Sequence, residues 1–509
     1  MVIAMKGLMQ LKKPVDEASY IVFKGGDGRI YAKNGNMGMI EYSDVEATNV
    51  IQYAVNKANA LGGGKVFIKS GTYLITKTIN PKDNVVIEGE GWGTVLQYAL
   101  SSPAPVIEGY NVSKVVLKNF VIDGMNIDSG GVDLIHFAHS SYIRIEGLEI
   151  RNKKGTYDGD AIDLDDVTYF WVLNNYIHDI DGKAIHPSNA DSPPYYGSRY
   201  GVIAHNELIN VNRVGQRHVI SVSGDPSLSG ATPPSDIIII GNYIESSPGT
   251  GIFVAGVRIS IIGNVVKNVG IGIDVQNFGS TASEAIDIIG NIVETTTAGH
   301  GITCYSPTAG LVKKVSIIGN SVRNTYKAGI QVTGATEVTV VSNNIHNPGW
   351  YDIGDASGTS KHVVSFNIVS KSLNITQSPR IVRGNIGYDT GAFKATGVSV
   401  TIGTGDAYGS ATSITSPSGR ISYFRLKITW GGTFGTGETA TVKVEAIYSD
   451  GSTAYIEKSA TSAGYLWLTD DDLLRLVAQG KDIVQLNVYA KTNLTSTSVT
   501  VTVDVFGTG

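Results

Sequence analysis

Between residues 110 and 390 the chain repeats a short phrase in which apolar and polar residues alternate around a central asparagine. Examples are WVLNNYI at 171–177, IIIGNYI at 238–244 and SIIGNSV at 316–322. A second alternating phrase that opens with glycine or alanine follows, such as GIDV at 272–275. Alternation with period two is typical of a strand with one buried face, so each repeat predicts two or three short strands.

The repeated asparagines indicate how these strands are assembled. They are Asn175, Asn206, Asn242, Asn264, Asn291, Asn320, Asn343 and Asn367, and successive numbers differ by 22 to 36. Strands this short cannot bury a hydrophobic face alone, whereas stacked repeats can. We therefore predict an all-β fold, a right-handed parallel β-helix with coils of roughly 22–25 residues, some carrying insertions. Stacked asparagines are expected to form an internal hydrogen-bonded ladder that holds the turns in register.

The segment 44–75, which precedes the repeats, predicts a helix, a turn at the glycines 62–64, and two strands. The apolar stripe of the helix is Val50, Ile51, Ala54, Val55 and Ala58. Such a helix would cover the open end of the solenoid, whose unpaired strand edge is otherwise prone to aggregation. We predict an N-terminal appendage at 1–40 and the β-helix at 41–390.

From residue 391 the asparagine phrase stops and longer alternating strands begin, such as ATVKVEAIY at 440–448. This pattern predicts a C-terminal β-sandwich at 391–509, for binding, attachment or oligomerisation. Trp430 and Trp467 are expected in its core.

Composition excludes several classes of protein. The chain is 42% hydrophobic and 17% charged, which is globular rather than disordered. Its net charge of −5 gives no overall attraction to nucleic acid or to an anionic membrane. Cys304 is the one cysteine, so no intrachain disulfide can form, and we expect it in the core. No signal peptide or membrane span is recognisable, and an extracellular or virion-associated protein is expected.

The segment GGGKVFIKSGTYLI at 62–75, followed by the asparagine coils, resembles the pectate-lyase-like β-helix superfamily over residues 44–390. That superfamily includes polysaccharide lyases, polygalacturonases, mannuronan epimerases and phage tailspike depolymerases. The resemblance implies the fold and a polysaccharide partner, but no single reaction, because one fold hosts many chemistries. It leaves monomer and homotrimer open, since pectate lyases are commonly monomers and tailspikes are trimers.

Aligning the second phrases of successive coils predicts which side chains share one outer face. If Ile162, Ile185, Ile220, Ile252 and Ile273 point inward, the next residue of each coil points outward. The resulting outward column is Asp163, His186, Ser221, Phe253 and Asp274. Asp160 starts the strand of Asp163, while Arg217 and His218 enter the coil below His186. Acid, imidazole and guanidinium groups should therefore converge on the coils between 158 and 223.

The same coils carry the long insertions 188–200 and 223–236, which are long enough to wall a groove. Tyr195 and Tyr196 could stack on sugar rings, or be exposed loop tyrosines without a ligand, and Arg199 could bind a carboxylate. The remaining candidates for substrate binding are Asp165, Arg213 and Lys183.

Comparison with the motifs of the superfamily gives partial matches. DAID at 160–163 resembles the NTDGxD phrase of polygalacturonases, and RHV at 217–219 stands where their GHG would. Phe253 stands at the position of their RIK phrase, so the sequence does not favour the mechanism of a standard inverting hydrolase. YDG at 157–159 with IDLD at 162–165 resembles the YGFDPH phrase of mannuronan epimerases.

β-Elimination from a uronic acid needs a group that neutralises the carboxylate, a base for the C5 proton, and an acid for the leaving oxygen. The candidates are Arg213 or Arg217 for the first role, His186 or His218 for the second, and Tyr157 or Asp163 for the third. We rank elimination or the related C5 epimerisation first.

Hydrolysis ranks next and needs two carboxyls about 5–9.5 Å apart, which Asp160, Asp163 or Asp165 could form with Asp181. No cofactor is required, although calcium could bind Asp158, Asp160 and Asp165. A non-catalytic, glycan-binding tail fibre or adhesin is the alternative outside enzymes.

Overall fold

The computed structural model describes residues 18–155, 159–214, 217–377, 380–383, 385–387, 392–415, 421, 423–477, 482–495 and 498–508. The predicted Tyr157 and Asp158 lie outside these residues. The chain is all-β and forms a right-handed parallel β-helix of about 11 turns, followed by a C-terminal sandwich.

Three parallel sheets run along the solenoid, because each coil contributes one strand to each of them. The first sheet contains Gly64–Ile68, Val85–Gly89, Ser113–Lys118, Ser141–Glu146, Thr168–Leu173, Arg199–Ala204, Ser235–Ile240, Val257–Ile262, Ser283–Ile289, Val312–Ile318, Thr336–Val341, His362–Ser365 and Arg380–Arg383. The second contains Gly71–Ile75, Thr94–Tyr98, Val121–Asp123, Glu149–Lys153, Tyr176–Ile180, Glu207–Val211, Ile292–Thr296, Ser321–Arg323, Asn344–His346, Ile368–Val369 and Ile386–Gly387.

The third sheet carries the column predicted from the sequence. It contains Ile107–Tyr110, Ile135–Ala138, Ile162–Asp165, Ile185–Ser188, His218–Val222, Ile302–Tyr305, Ile330–Thr333, Ile353–Ala356 and Leu373–Asn374. The long strands Tyr243–Val254 and Val265–Gln276 bend at the corner and belong to the second and third sheets in turn. The repeated isoleucines and valines are the inward side chains of these strands, and stacking of the coils buries that face.

The inward side chains of all three sheets form one continuous core, which includes the predicted Cys304. At its N-terminal end the helix Ala47–Ala60 buries the predicted stripe Val50, Ile51, Ala54, Val55 and Ala58. Gly62 follows with φ of 89°, a conformation in which glycine avoids the strain of a side chain. The strands Tyr20–Lys24, Ile30–Asn34 and Ile40–Asp44 are antiparallel, and Tyr20–Lys24 pairs in parallel with Gly64–Ile68, so they extend the first sheet.

The asparagine ladder is confirmed, and it continues one coil further than the sequence phrase indicates, to Asn385. Each side-chain amide donates to the Oδ1 of the asparagine in the next coil, for example Asn175 to Asn206 at 2.9 Å. The same Oδ1 accepts the backbone N–H of the preceding asparagine, at 3.0 Å for this pair. The ladder therefore satisfies buried polar groups that would otherwise destabilise each turn.

The C-terminal residues form two further sheets around a second core. One sheet contains Ala392–Val400, Ser498–Thr508, Tyr423–Thr433 and Gly464–Trp467; the other contains Ile402–Gly403, Ile483–Thr492, Ala440–Tyr448 and Thr453–Ala460, with Thr412–Ile414 beside it. A short helix spans Asp470–Val477. Trp430 is in the core as predicted, but the prediction for Trp467 is wrong: it lies on an edge strand and is 42% exposed. Neither helix in the described part of the chain has the length and hydrophobicity needed to cross a membrane.

Candidate functional site

The predicted outward column exists in the third sheet. Asp163 pairs in register with His186, and Ile185 pairs with Ile220, which places Ser221 directly below His186. Phe253 follows Ser221, and Asp274 follows Phe253. Neighbouring strands lie about 4.8 Å apart, so these side chains form a continuous row along the solenoid.

Asp160, Lys183 and His186 form a buried charged cluster. The Nζ of Lys183 lies 2.8 Å from Oδ2 of Asp160, and Nδ1 of His186 lies 3.0 Å from the same oxygen. The backbone N–H of Lys183 donates to Oδ1 of Asp160 at 2.9 Å. Burial acts to raise the pKa of Asp160, but Lys183 and His186 outweigh it and lower the pKa. Asp160 is therefore ionised, and it is fully buried.

The two cations of this cluster keep their charge at neutral pH. Burial and Lys183 act to lower the pKa of His186, but Asp163 and Asp160 outweigh them and raise it to about 9. Burial also opposes the charge of Lys183, but Asp160 and Asp163 raise the pKa of that amine. The site thus presents a fixed positive pair beside the groove.

Asp163 occupies a different environment from Asp160. Its Oδ1 lies 3.2 Å from Nδ1 of His186 but has no hydrogen-bond partner among the described residues. Burial and the carboxylate of Asp165 raise the pKa of Asp163. A carboxyl with a raised pKa keeps its proton to a higher pH than an ordinary aspartate does.

His136 is a member of the site that the sequence analysis missed. It is the register partner of Asp163 on the coil above, and its Nε2 lies 3.2 Å from Oδ2 of Asp165. Burial acts to lower the pKa of His136, but hydrogen bonding to Asp165 and the charge of Asp163 raise it to about 10. Asp165 also accepts a hydrogen bond from Ser188. We define the acid–imidazole cluster as His136, Asp160, Asp163, Asp165, Lys183 and His186.

His218 lies one coil below this cluster, and its pKa is shifted in the opposite direction to that of His186. Its ring stacks on Phe253 with centroids 4.0 Å apart, and Nδ1 lies 3.0 Å from Oγ of Ser221. Burial and the charge of His186 lower the pKa of His218 to about 3, so the ring is neutral at neutral pH. The charge of Arg217 also acts on His218, and the backbone N–H of Arg217 donates to Asn212.

Arg213 lies at the corner between the second and third sheets. Its Nε donates to Oδ1 of Asp181 at 2.8 Å, and Nη2 donates to the carbonyl of Lys153 at 3.2 Å. Asp181 is thus committed to an ion pair, and the structure does not bring Arg213 or Asp181 into the acid–imidazole cluster.

The insertion at 188–200 contacts an earlier coil and the second insertion. Oγ of Ser192 lies 2.9 Å from Nε2 of His139, and the loop is tied to the second insertion by Thr232, which donates to the carbonyl of Tyr195 at 3.0 Å. Tyr196 is exposed, and the guanidinium of Arg199 lies 5.8 Å from its ring centroid.

Arg199 also donates to Asp166 at 3.1 Å, so its guanidinium is already paired with a carboxylate of this chain. Asp191, an exposed loop residue with no sequence signal, has a pKa raised by desolvation and by Asp165. The loop therefore brings one more acidic group towards the cluster.

The carboxylates and imidazoles could hold a metal ion in two overlapping ways. One group is His136, Asp163 and Asp165; the other is Asp160, Asp163 and His186, and in each the ligand atoms lie within 4.8 Å of one another. Asp160 and Asp165, the described members of the predicted calcium site, fall into different groups. Two of these five residues are histidines with raised pKa, which is unlike the all-oxygen environment that calcium prefers.

No protein-family profile matches the chain, and no curated protein sequence matches it. In structure it is similar to the A-module of mannuronan C-5 epimerase AlgE6 from Azotobacter vinelandii, with a TM-score of 0.52 and 18% identity over 67% of this chain and 95% of that module. It is also similar to a mutant tailspike protein of E. coli bacteriophage HK620, with a TM-score of 0.50 and 11% identity over 91% of this chain and 90% of the other.

These similarities define the class of protein by fold. Both solved structures are parallel β-helix proteins, and the described coils form the same solenoid. The fold predicted from the sequence is confirmed.

Proposed function

We propose that this protein is a carbohydrate-active enzyme that cleaves a uronic-acid-containing polysaccharide by β-elimination. The observation that carries the proposal is the position of His218, one strand below Lys183 and His186, which share the carboxylate of Asp160. An imidazole placed beside two cations can remove a proton next to a carboxylate that those cations neutralise.

The roles follow from burial and charge. The imidazolium of His186, backed by Lys183, neutralises the substrate carboxylate and stabilises the charge that develops when the C5 proton leaves. His218 takes the C5 proton. The electrons of the C5–H bond then form the C4–C5 double bond, and the C4–O bond breaks. Asp163 gives its proton to the leaving oxygen. Asp160 is a positioning residue, because it is fully buried and holds Lys183 and His186.

The fold of the neighbours supports a polysaccharide as the substrate. One of them is a mannuronan C-5 epimerase, an enzyme whose name states action at the same carbon of a uronic acid polymer. Another is a phage tailspike protein. The same proposal includes an extracellular or virion-associated location, where such polymers occur.

The test compares His218→Gln and Asp163→Asn with the wild type on polymannuronate and polygalacturonate. Both variants should lose about 10²- to 10⁴-fold in the rate at which unsaturated, ultraviolet-absorbing ends appear. His346→Gln on the second sheet and Asp287→Asn on the first sheet are matched controls outside the groove, and they should keep wild-type rates.

A rise in reducing ends without the ultraviolet signal would replace elimination by hydrolysis. If the wild type forms no product and the two variants bind glycan as well as the wild type does, a non-catalytic adhesin is favoured instead.

Hydrolysis is the second candidate, and one observation favours it. Oxygens of Asp163 and Asp165 lie within 4.8 Å of one another, which is close to the separation of about 5–5.5 Å in retaining glycosidases. The raised pKa of Asp163 suits a general acid and leaves Asp165 as the nucleophile. Nuclear magnetic resonance of the first-formed anomer would then show retention of configuration.

A further inference from the structure

The outward column of the third sheet continues well beyond the proposed reaction centre. Below Phe253 come Asp274, Thr303 and Gln331, each paired in register with the next. Asp274 lies three strands below His186, or about 14 Å, and Thr303 lies about 19 Å below it. The groove floor is thus longer than the acid–imidazole cluster requires.

Asp274 has a feature that points to a ligand on this floor. Its side chain is only 5% exposed, and Oδ2 accepts a hydrogen bond from Nε2 of Gln276 at 2.8 Å. Oδ1 is buried without a hydrogen-bond partner among the described residues. An unsatisfied buried oxygen is costly, and a hydroxyl that donates to it would remove that cost.

One wall of this lower groove is aromatic. Trp350 is 50% exposed, and its ring lies 5.7 Å from the ring of His300, with Nζ of Lys327 5.3 Å from its centroid. His300 lies two residues before the strand Ile302–Tyr305, which carries Thr303. The indole of Trp350 therefore contacts the turn that leads into this strand, although Trp350 itself lies two coils lower.

The opposite wall is built by the second insertion. Pro226 packs against Gly279, where a β-carbon would lie 2.7 Å from the β-carbon of the proline, so the loop approaches closely because this position is glycine. Ser306 donates to Oδ1 of Asn277 at 3.4 Å and ties the next coil to the same wall. These contacts thus follow the strand that carries Asp274, whereas His300 and Trp350 lie before the strands of their own coils.

We propose that Asp274, Thr303 and Trp350 form a distal binding platform for a sugar unit about three to four strand spacings from the reaction centre. One pyranose ring would stack on the indole, with a hydroxyl directed to Asp274, because aromatic faces and buried acceptors are the groups that recognise such rings. That the ligand is a polysaccharide rests on the proposed function. The platform makes the enzyme selective for long chains.

The experiment measures binding by titration calorimetry in an Asp163→Asn background. The probes are oligomannuronates and oligogalacturonates of about three and about nine units, of which only the longer ones span four strand spacings. Trp350→Ala should weaken binding of the long probe about three- to tenfold and leave the short probe unchanged. Asp274→Leu, which keeps the size but removes the acceptor, should weaken it by a similar factor.

Trp92→Ala is the matched control, because Trp92 is an exposed tryptophan at the other end of the solenoid. The proposal is overturned if Trp350→Ala equals Trp92→Ala for every probe, or if the parent protein binds none of them. Cleavage is assayed separately with Asp163 intact. A loss of long-chain binding in Trp350→Ala, without cleavage of any polymer by the wild type, would keep the platform and reject the elimination reaction.

Discussion

His186 and His218 lie on adjacent strands but differ in charge at neutral pH. Asp163 and Asp160 raise the pKa of His186 to about 9, whereas burial and nearby cations lower the pKa of His218 to about 3. The intrinsic pKa of histidine suits either residue as a base, and only the surroundings separate them. A fixed cation and a free base can therefore come from one residue type.

Replacement of His186 should change how stability depends on pH. Its pKa is raised above the ordinary value of 6.5, so its contribution is complete below about pH 6.5 and is lost as pH rises through about 9. In the wild type this loss is at most about 3 kcal/mol. His186→Gln should flatten the unfolding free energy over this range, as measured by denaturant titration at several pH values. A slope equal to that of the wild type and of the exposed His346→Gln would contradict the assigned charge.

At the level of single residues, the sequence predicts part of the site. Asp163 and His186 could be placed side by side because strand alternation and the repeated isoleucines determine the register. His136 occupies the same column, but its coil has Leu134 where most of the aligned phrases have glycine or alanine, so the phrase is harder to recognise there. Asp191 could not be found in this way, since a loop has no periodicity that places its side chains.

At the level of elements, the ladder explains why coils of unequal length stack in one register. Insertions enter at the corners, while every coil between Asn175 and Asn385 returns an asparagine to the same internal position. The alternating pattern predicts such strands well. It does not predict whether the outer side of an edge strand is covered, so it wrongly predicts Trp467 in the core.

Asn343 and Asn344 offer a matched test of the ladder, because they are adjacent in the chain. Asn343 is buried, accepts from the side chain of Asn320 and donates to Asn367, both at 2.9 Å, whereas Asn344 is exposed. Asn343→Ala should lower the unfolding free energy by about 3 kcal/mol, because buried partners are left unsatisfied. Asn344→Ala should change it by less than about 0.5 kcal/mol. Equal effects in chemical denaturation would show that the ladder adds little.

At the level of the whole molecule, the chain has two separate hydrophobic cores. The solenoid core runs from Tyr20 to Val369, and the sandwich core runs from Val400 to Val505. Separate cores imply separate cooperative units, since each buries its own apolar surface. The sequence indicates this division through the change from short asparagine phrases to long alternating strands.

Calorimetry should therefore resolve two unfolding transitions. Ile317→Ala in the solenoid and Leu426→Ala in the sandwich each remove a fully buried side chain, at a cost of about 2–5 kcal/mol. Each variant should lower the midpoint of one transition and leave the other in place. A single transition that both variants shift equally would mean that the two cores unfold together.

The ladder also gives the solenoid an electrical direction. Every side-chain amide from Asn175 to Asn367 donates towards the following coil, so the stacked amides point the same way, as peptide groups do in a helix. Aligned dipoles polarise one another, and their positive end lies at the coil of Asn385. The amide dipoles of the ladder thus favour negative charge beside the coil of Asn385.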